Sequence, residues 1–292
     1  MSERFAWYNG SFVPESEVLL SFRDSVAMYG EGVYDTSRTF GGTLFRLREH
    51  LERLSQSLAY VRLDPGVSLD ELAEVSEELC RRNWGGEDFW LSQRVTRGVP
   101  GGPPTVIVEC TPIPFAARAA YYRDGAGVRT ATHRRVPPWA QSPQAKTMSL
   151  LNLRLAEMEV RDADPGAWPM LCDENGNLCE GWGSNVFVVS GERLVTPQAR
   201  YVLPGITRGV VVGLALGLGL DVEERDVDLY EAAGADELFL TSTSLCVCPV
   251  ASVNGYRPRA GAIPGPVTRR LQEAFAELVG FDFVGQYLDR LP

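Results

Sequence analysis

The chain has 292 residues, of which 45% are apolar and 23% are charged, a composition typical of globular proteins. Its 38 acidic residues outnumber its 28 basic ones. The resulting net charge of −10 argues against nucleic acid or an anionic membrane as a partner, because both require clustered cations. The longest apolar run, 209–220, is too short to span a bilayer, and the N-terminal residues lack the features of a signal peptide. We therefore expect a cytoplasmic protein.

Cysteine and lysine usage narrows the possible chemistry. None of the six cysteines forms a Cys-x-x-Cys pair, so we expect reduced, mostly buried thiols and no metal site. The basic residues are 27 arginines and a single lysine, Lys146. A lysine can lose its proton and act as an amine nucleophile, which an arginine cannot do. Two interpretations of Lys146 are open at this point, an ordinary surface lysine and a catalytic amine.

The first part of the chain predicts antiparallel strands with helices, as a small α+β domain over residues 1–115. Asn9-Gly10 between two aromatic runs is a strong hairpin signal. Ser68-Leu-Asp-Glu71 is a capping box, which indicates the start of a helix. In chain order, the predicted elements are hairpins over 5–13 and 33–47, helices over 49–59 and 68–83, and strands over 89–96 and 105–110.

Two prolines and a glycine within residues 111–125 indicate an interdomain link, which we place at 116–125. Residues 126–292 predict a larger α/β domain that carries Lys146. Two such lobes imply a cleft between them. The predicted strands lie near 128–133, 170–172, 184–190, 222–226, 237–240 and 247–253, and the helices begin just after Lys146 and cover 207–217 and 267–278.

Two side chains suit a reaction centre. Lys146 follows a proline-rich loop, 136–143, and precedes an apolar helix, and such a junction can hold a side chain rigidly while its tip stays accessible. Glu180 lies between a turn and a glycine-interrupted segment. If a pyridine cofactor is present, a carboxylate at the ring nitrogen keeps the ring protonated. The alternative for Glu180 is an ordinary loop glutamate.

Three further features suit an anionic group. Leu203-Pro-Gly-Ile-Thr-Arg208 precedes a helix, whose free N–H groups and the Thr207 hydroxyl suit a phosphate. Thr241-Ser-Thr-Ser244 places successive hydroxyls at a strand end, and Arg53 can clamp a phosphate. A structural role is the alternative for each of them: a plain helix start, a hydroxyl-rich turn and a surface arginine.

Taken together, these segments resemble the class IV aminotransferases, the fold-type IV family of pyridoxal-phosphate enzymes. One such motif is a weak signal, whereas seven in the family's order, within about residues 7–275, are specific. The seven are Tyr29-Gly-Glu-Gly-Val-Tyr-Asp35, Leu44-Phe-Arg-Leu-Arg-Glu-His-Leu-Glu-Arg-Leu54, Ala145-Lys146-Thr147, Glu180-Gly-Trp-Gly-Ser-Asn-Val-Phe187, Leu203-Pro-Gly-Ile-Thr-Arg208, Ala235-Asp-Glu-Leu-Phe-Leu-Thr-Ser-Thr243 and Gly265-Pro-Val-Thr268.

The resemblance implies a two-lobed α+β / α/β fold with the site between the lobes, pyridoxal 5'-phosphate as cofactor, and a homodimer. It makes Lys146 the Schiff-base lysine and Glu180 the partner of the pyridine nitrogen. The remaining residues that it assigns are Arg53, Ile206, Thr207 and Thr243 to the cofactor phosphate, and Tyr34, Arg38, Arg118 and Ser244 to the substrate.

The activity that the resemblance implies is ping-pong transfer of an amino group from an amino acid or chiral amine to a 2-oxo acid. Branched-chain L-amino acids, D-amino acids and (R)-amines all occur in the family, and these residues do not separate them. Many relatives carry a tyrosine four or five residues after the lysine, which is missing here, with Ser149 as one candidate replacement. Ser92 stands where branched-chain members often carry an arginine. A lyase of the aminodeoxychorismate-lyase type and a non-catalytic cofactor-binding protein are therefore alternatives.

Overall fold

The computed structural model describes residues 3–292 and places them in two compact units. The first unit contains the described residues through Ile113 together with Ala145–Leu150, and the second contains Pro114–Gln144 and Leu151–Pro292. Both units combine helices with a sheet, so the predicted mixed α and β fold class is confirmed. No helix within residues 3–292 is long and apolar enough to cross a membrane.

In the first unit, an antiparallel sheet packs with helices around a core rich in leucine and valine. The strand order within it is β2-β1-β6-β5-β3-β4. The elements of this unit are β1 (Phe5–Tyr8), β2 (Ser11–Pro14), a 3-10 turn (Glu15–Glu17), α1 (Ser25–Tyr29), β3 (Gly32–Phe40), β4 (Thr43–Leu44), α2 (Leu47–Tyr60), α3 (Leu69–Asn83), β5 (Phe89–Thr96) and β6 (Thr105–Pro112).

Local sequence signals account for the helices of this unit. The Ser68 hydroxyl accepts a hydrogen bond from the Glu71 backbone N–H at 3.1 Å, so the predicted cap of α3 is confirmed. Helix α2 begins at Leu47, two residues before its predicted start. Its leucines at one-turn spacing, Leu51, Leu54 and Leu58, are all buried in the core, which is why this face of α2 packs inward.

In the second unit, strands follow the order β12-β11-β10-β13-β14-β7-β8-β9, and β9 also pairs with β10, which closes part of the sheet into a ring. The parallel pairs are β11 with β12, β14 with β7, and β7 with β8. The elements are α4 (Phe115–Asp124), β7 (Ala126–Thr130), α5 (Leu151–Ala163), β8 (Trp168–Cys172), β9 (Leu178–Gly181), β10 (Ser184–Ser190), β11 (Arg193–Thr196), a 3-10 turn (Ala199–Tyr201), α6 (Ile206–Gly217), β12 (Asp221–Glu224), α7 (Leu229–Ala233), β13 (Glu237–Ser242), β14 (Cys246–Val253), α8 (Pro266–Val279) and α9 (Phe283–Leu288).

The segment expected as a link, 116–125, is helical over Phe115–Asp124 and packs against α9 and β14 within the second unit. Its composition explains the difference, because alanine is the strongest helix former and four alanines lie in this segment. The two prolines that suggested a link precede the helix, and Gly125 ends it. The prolines and the glycine therefore mark the two ends of a helix.

The segment that carries Lys146 also differs from expectation. The sequence places it in the C-terminal domain at the start of a helix, but α5 begins only at Leu151, and Ala145–Leu150 belongs to the first unit. The reason is backbone pairing, because Thr147 forms a bridge with Val33 of β3. A segment whose backbone groups bond to a strand does not use them for helical hydrogen bonds.

All six cysteines are free and buried, as expected. Burial raises the pKa of Cys80 to about 11 and that of Cys110 to about 12. Because the thiolate is the reactive form, these two thiols are unreactive at neutral pH in the folded chain.

A buried carboxylate caps helix α8. The Glu237 side chain accepts hydrogen bonds from the backbone N–H groups of Val267 and Thr268, each at 2.8 Å. A helix start leaves its first N–H groups unpaired and favours negative charge. Gly265 precedes the helix, and a Cβ added there would lie 2.2 Å from Glu237 Cδ, so a larger residue would displace the cap. Glu237 therefore joins α8 to strand β13.

We predict that Glu237→Gln lowers the free energy of unfolding by about 1–3 kcal/mol, because the amide loses the charge and one of two acceptors for buried donors. Urea denaturation followed by circular dichroism measures the change. Glu273→Gln is the matched control, because Glu273 is exposed on the same helix. Equal losses in the two variants would contradict the prediction.

Candidate active site

Backbone hydrogen bonds fix the position of Lys146. Its carbonyl accepts from the Tyr34 N–H at 3.0 Å, and its own N–H donates to the Ser57 hydroxyl at 3.0 Å. Two residues later, the Met148 N–H donates to the Gly32 carbonyl at 2.8 Å. The Lys146 ammonium nitrogen lies 4.6 Å from the centre of the Tyr34 ring. The single lysine of the chain is thus held at its backbone by β3 and α2, with its amine beside an aromatic ring.

Strand β3 carries both Tyr34 and Arg38, which the sequence assigned to the substrate. Arg38 is 1% exposed, its Nε donates to the Thr39 carbonyl at 2.9 Å, and its guanidinium lies 4.1 Å from the centre of the Phe40 ring. It also lies 3.8 Å from a carboxylate oxygen of Asp88. These contacts describe a structural role inside the first unit, and a role of Arg38 toward substrate stays a prediction.

Arg53 belongs to a buried charge cluster with Asp35 and His50. Arg53 Nε donates to Asp35 Oδ2 at 2.8 Å and Nη2 donates to Oδ1 at 2.7 Å, while His50 Nδ1 lies 2.7 Å from Oδ1. Burial by itself raises the pKa of Asp35, but the charge of Arg53 and the hydrogen bonds from both partners outweigh it and hold the pKa well below its ordinary value. Burial lowers the pKa of His50, although the hydrogen bond and the charge of Asp35 oppose this shift. The cluster therefore holds the Arg53 guanidinium in one orientation.

In the second unit, Glu180 is buried on β9 and both of its carboxylate oxygens accept hydrogen bonds. Arg135 Nε donates to Oε1 at 2.7 Å, and the Leu203 N–H donates to Oε2 at 2.9 Å. The hydrogen bond with Arg135 is charge-assisted and mostly buried, which makes it stronger than a neutral one. Each carboxylate oxygen keeps capacity for a further donor. Glu180 is thus held in a defined orientation as a hydrogen-bond acceptor.

The predicted anion-binding segment after Leu203 leads directly into helix α6, which begins at Ile206. The cap residue is Gly205, and no side chain caps the helix there. A Cβ added to Gly205 would lie 2.2 Å from Asn185 Oδ1, so glycine is required for this close approach. Asn185 also donates to the Leu203 carbonyl at 3.0 Å. The start of α6, with buried Thr207, is therefore anchored to β10 and has the polarity that suits a phosphate.

Arg118 and Ser244, which are 126 residues apart in the chain, meet in the second unit. Arg118 Nη1 donates to the Ser244 hydroxyl at 2.5 Å, and the guanidinium lies 5.6 Å from the centre of the Trp168 ring. The Ser244 carbonyl accepts from the Tyr287 hydroxyl at 2.7 Å. Thr243 precedes Ser244 in the turn between β13 and β14. Two residues predicted on the substrate side are therefore direct neighbours.

Sequence reasoning missed the partners of these residues. Asp35, His50 and Ser57 contact or support Arg53 and Lys146, and Arg135 contacts Glu180. The sequence signal for His50 and Ser57 was their helical spacing from Arg53, which places all three on one face of α2.

Ser149, considered as a replacement for the missing tyrosine, donates its hydroxyl to the Gly30 carbonyl at 3.0 Å.

The chain is similar to known proteins over most of its length. The model of the family described as amino-transferase class IV matches residues 32–253. A putative branched-chain-amino-acid aminotransferase of Methanocaldococcus jannaschii is 32% identical over 281 residues, which cover 93% of this chain and 95% of that protein. A D-alanine aminotransferase of Bacillus licheniformis is 32% identical over 274 residues, covering 91% of this chain and 94% of that protein.

Solved structures match over nearly the same length. The branched-chain amino acid aminotransferase of Escherichia coli has a TM-score of 0.88 at 28% identity and covers 95% of each chain. The T.th. branched-chain amino acid aminotransferase complexed with N-(5'-phosphopyridoxyl)-L-glutamate has a TM-score of 0.87 at 29% identity and covers 96% of this chain and 95% of that chain.

The family model spans more than half of the chain and includes Arg53, Lys146, Glu180 and Ser244. The resemblance found in the sequence is therefore confirmed, and so is the fold-type IV architecture. This chain belongs to the class IV aminotransferase family.

Proposed function

We propose that this chain is a pyridoxal-phosphate-dependent aminotransferase that moves an amino group from an amino acid or chiral amine to a 2-oxo acid by a ping-pong mechanism. The observation that carries the proposal is the placement of Lys146. The chain has one lysine, both of its backbone hydrogen-bonding groups are engaged by the first unit, and its amine lies beside Tyr34. Family membership supports the same activity.

The donors and acceptors of the chain fit the chemical groups of pyridoxal phosphate. An amine for its aldehyde is available at Lys146, and a buried carboxylate for its ring nitrogen at Glu180. The start of α6 at Gly205, which no side chain caps, suits its phosphate. When bound, the cofactor supplies an aldehyde that exchanges amino groups and a protonated ring that accepts electron density from the substrate Cα.

Lys146 has two roles in the proposed reaction. Its ε-amine would hold the cofactor covalently between turnovers. When it is free and neutral, the same amine would act as a general base that removes the proton from the substrate Cα. Arginine cannot perform either role at neutral pH. The aromatic ring of Tyr34 lies against this amine, and we assign it to the substrate side.

Glu180 would keep the proton on the ring nitrogen of the cofactor. A preorganised carboxylate at that position stabilises positive charge without having to reorient during the reaction. Arg135 and the Leu203 N–H hold the two oxygens, so the protein itself orients the carboxylate. Glu180 therefore acts through a fixed charge.

The remaining assignments follow the chemistry of each group. Arg53, whose orientation Asp35 sets, and the N-terminal turn of α6 at Ile206 and Thr207 would bind the phosphate, together with Thr243. Arg118 and Ser244 would bind the substrate carboxylate, because a guanidinium next to a hydroxyl can offer it two donors. A screen of L-amino acids, D-amino acids and chiral amines identifies the preferred donor.

We further propose that the enzyme is a cytoplasmic homodimer. Three large apolar side chains of the first unit, Leu19, Phe22 and Tyr29, are each more than 70% exposed, and their burial in an interface would be favourable. The free state of all six cysteines supports a reducing compartment. We predict a sedimentation mass of two chains at micromolar concentration. A mass of one chain, 32.1 kDa, would contradict the dimer, and fractionation of cells tests the compartment.

We predict that Lys146→Arg abolishes transamination although the positive charge is kept, because a guanidinium does not bond to the aldehyde at neutral pH. The measurement is conversion of added pyridoxamine phosphate to pyridoxal phosphate with a panel of 2-oxo acids. Gln144→Arg is the control, since it places the same side chain at an exposed position two residues earlier. Full activity of Lys146→Arg would refute the assignment of Lys146. Absence of conversion by the unmodified protein with every acceptor would refute the function.

We predict that Glu180→Gln retains bound cofactor but lowers turnover by at least about tenfold, because a neutral amide no longer holds the proton on the ring nitrogen. Absorbance of the purified protein measures cofactor content, and steady-state kinetics measures turnover. Glu174→Gln, an exposed residue in the turn before β9, serves as the control. Unchanged turnover of Glu180→Gln would remove Glu180 from the reaction.

A further inference from the structure

Ser57 joins two residues that the proposed function assigns to the cofactor. Its hydroxyl oxygen accepts a hydrogen bond from the Lys146 N–H at 3.0 Å. The same hydroxyl donates to the Arg53 carbonyl, one helical turn earlier on α2, at 3.0 Å. Ser57 is only 1% exposed, so water does not compete for either bond.

Among residues 3–292, the hydroxyl of Ser57 is the group that ties the Lys146 backbone to a helix. Lys146 and Met148 also bond to β3, but through backbone groups on both partners. Those bonds do not depend on the identity of any side chain. The Ala145–Leu150 segment has no helical hydrogen bonds of its own to keep it rigid, because α5 starts only at Leu151. The hydroxyl of Ser57 therefore adds a constraint that depends on the identity of one side chain.

The same face of α2 holds the guanidinium of Arg53. His50 and Arg53 both bond to Asp35 of β3, and Ser57 lies one turn further along this face. The helix thus links the orientation of a guanidinium with the position of the backbone that carries the amine. A shift of Lys146 relative to Arg53 would misplace the amine for a cofactor whose phosphate is held by that arginine.

We propose that Ser57 is a positioning residue that fixes the Lys146 backbone to the turn of α2 that carries Arg53. This inference rests on the proposed function of Lys146 and Arg53. Orientation of a reacting group to within about 1 Å is worth large factors in rate. Removal of the hydroxyl should therefore slow the reactions of the Lys146 amine. The decrease in rate should be larger than the decrease expected from reduced stability alone.

A second buried serine provides a matched control. Ser76 on α3 is 0% exposed and donates its hydroxyl to the carbonyl one turn earlier, Leu72, at 2.6 Å, as Ser57 does to Arg53. It accepts from the Gln93 side chain at 2.9 Å, whereas Ser57 accepts from Lys146. Ser57→Ala and Ser76→Ala therefore remove the same kind of helix contact, but only the first removes a contact with Lys146.

The test compares Ser57→Ala, Ser57→Cys and Ser76→Ala in the 292-residue protein. Stopped-flow absorbance measures how fast each apoprotein captures pyridoxal phosphate, and single-turnover kinetics measures the half-reaction of each holoenzyme. We expect both Ser57 variants to be slower by about tenfold in capture and half-reaction, and Ser76→Ala to stay within about twofold of the unmodified protein. Ser57→Cys keeps the shape of the side chain and fills the site but replaces the oxygen with a weak acceptor, so it preserves the test if Ser57→Ala does not fold.

The outcomes separate this inference from the proposed function. If the unmodified protein captures the cofactor and both folded Ser57 variants capture it at the same rate, the role of Ser57 is overturned and the function stands. If Ser76→Ala slows capture as much as Ser57→Ala, the effect is structural and the inference is again overturned. If the unmodified protein captures no cofactor, the function and the inference both fail.

Discussion

Hydrogen bonds between the Ala145–Leu150 segment and strand β3 determine where the single amine of this protein lies. Lys146 and Met148 bond to the backbone of β3 on either side of a bridge between Thr147 and Val33. Strand β3 is in turn held by seven consecutive pairs with β5, so the segment is attached to a rigid sheet. Because these bonds use backbone groups, they fix the direction of the chain at Lys146. The interaction with Tyr34 and the contact from Ser57 both depend on this attachment.

In each unit, a buried carboxylate is paired with donors that satisfy both of its oxygens. Asp35 is 0% exposed and bonds to Arg53 and His50, while Glu180 is 6% exposed and bonds to Arg135 and a backbone N–H. A buried carboxylate without such partners would be costly, and removing one partner of a buried ion pair typically costs about 3–5 kcal/mol. Each pair also orients a group that the proposed reaction requires. Stability and positioning therefore depend on the same contacts.

The known relatives favour amino-group transfer, and the substrate screen identifies the preferred donor. The relatives reported above are named as branched-chain or D-alanine aminotransferases, which supports transamination over the lyase and non-catalytic alternatives. Ser92, which stands where branched-chain members often carry an arginine, pairs with Thr36 through their hydroxyls at 2.9 Å. The Ser149 hydroxyl donates a hydrogen bond to the Gly30 carbonyl, which is a structural contact. Arg118 lies in α4 and Ser244 lies in the turn after β13, whereas Ser92 lies in β5 and Ser149 lies before α5.

The amino-acid sequence by itself determined which chemistry was available. Lys146 as the only lysine, the order of seven motifs, the cap at Ser68 and the glycine before α6 are all local features, and local features can be predicted from short segments. Only the tertiary structure decided which side chains meet. Arg135 lies 45 residues from Glu180 and Ser57 lies 89 residues from Lys146, and strand pairing and helix packing bring them together. The non-helical conformation at Lys146 was decided in the same way, because pairing with β3 overrides the helical preference of the residues that follow it.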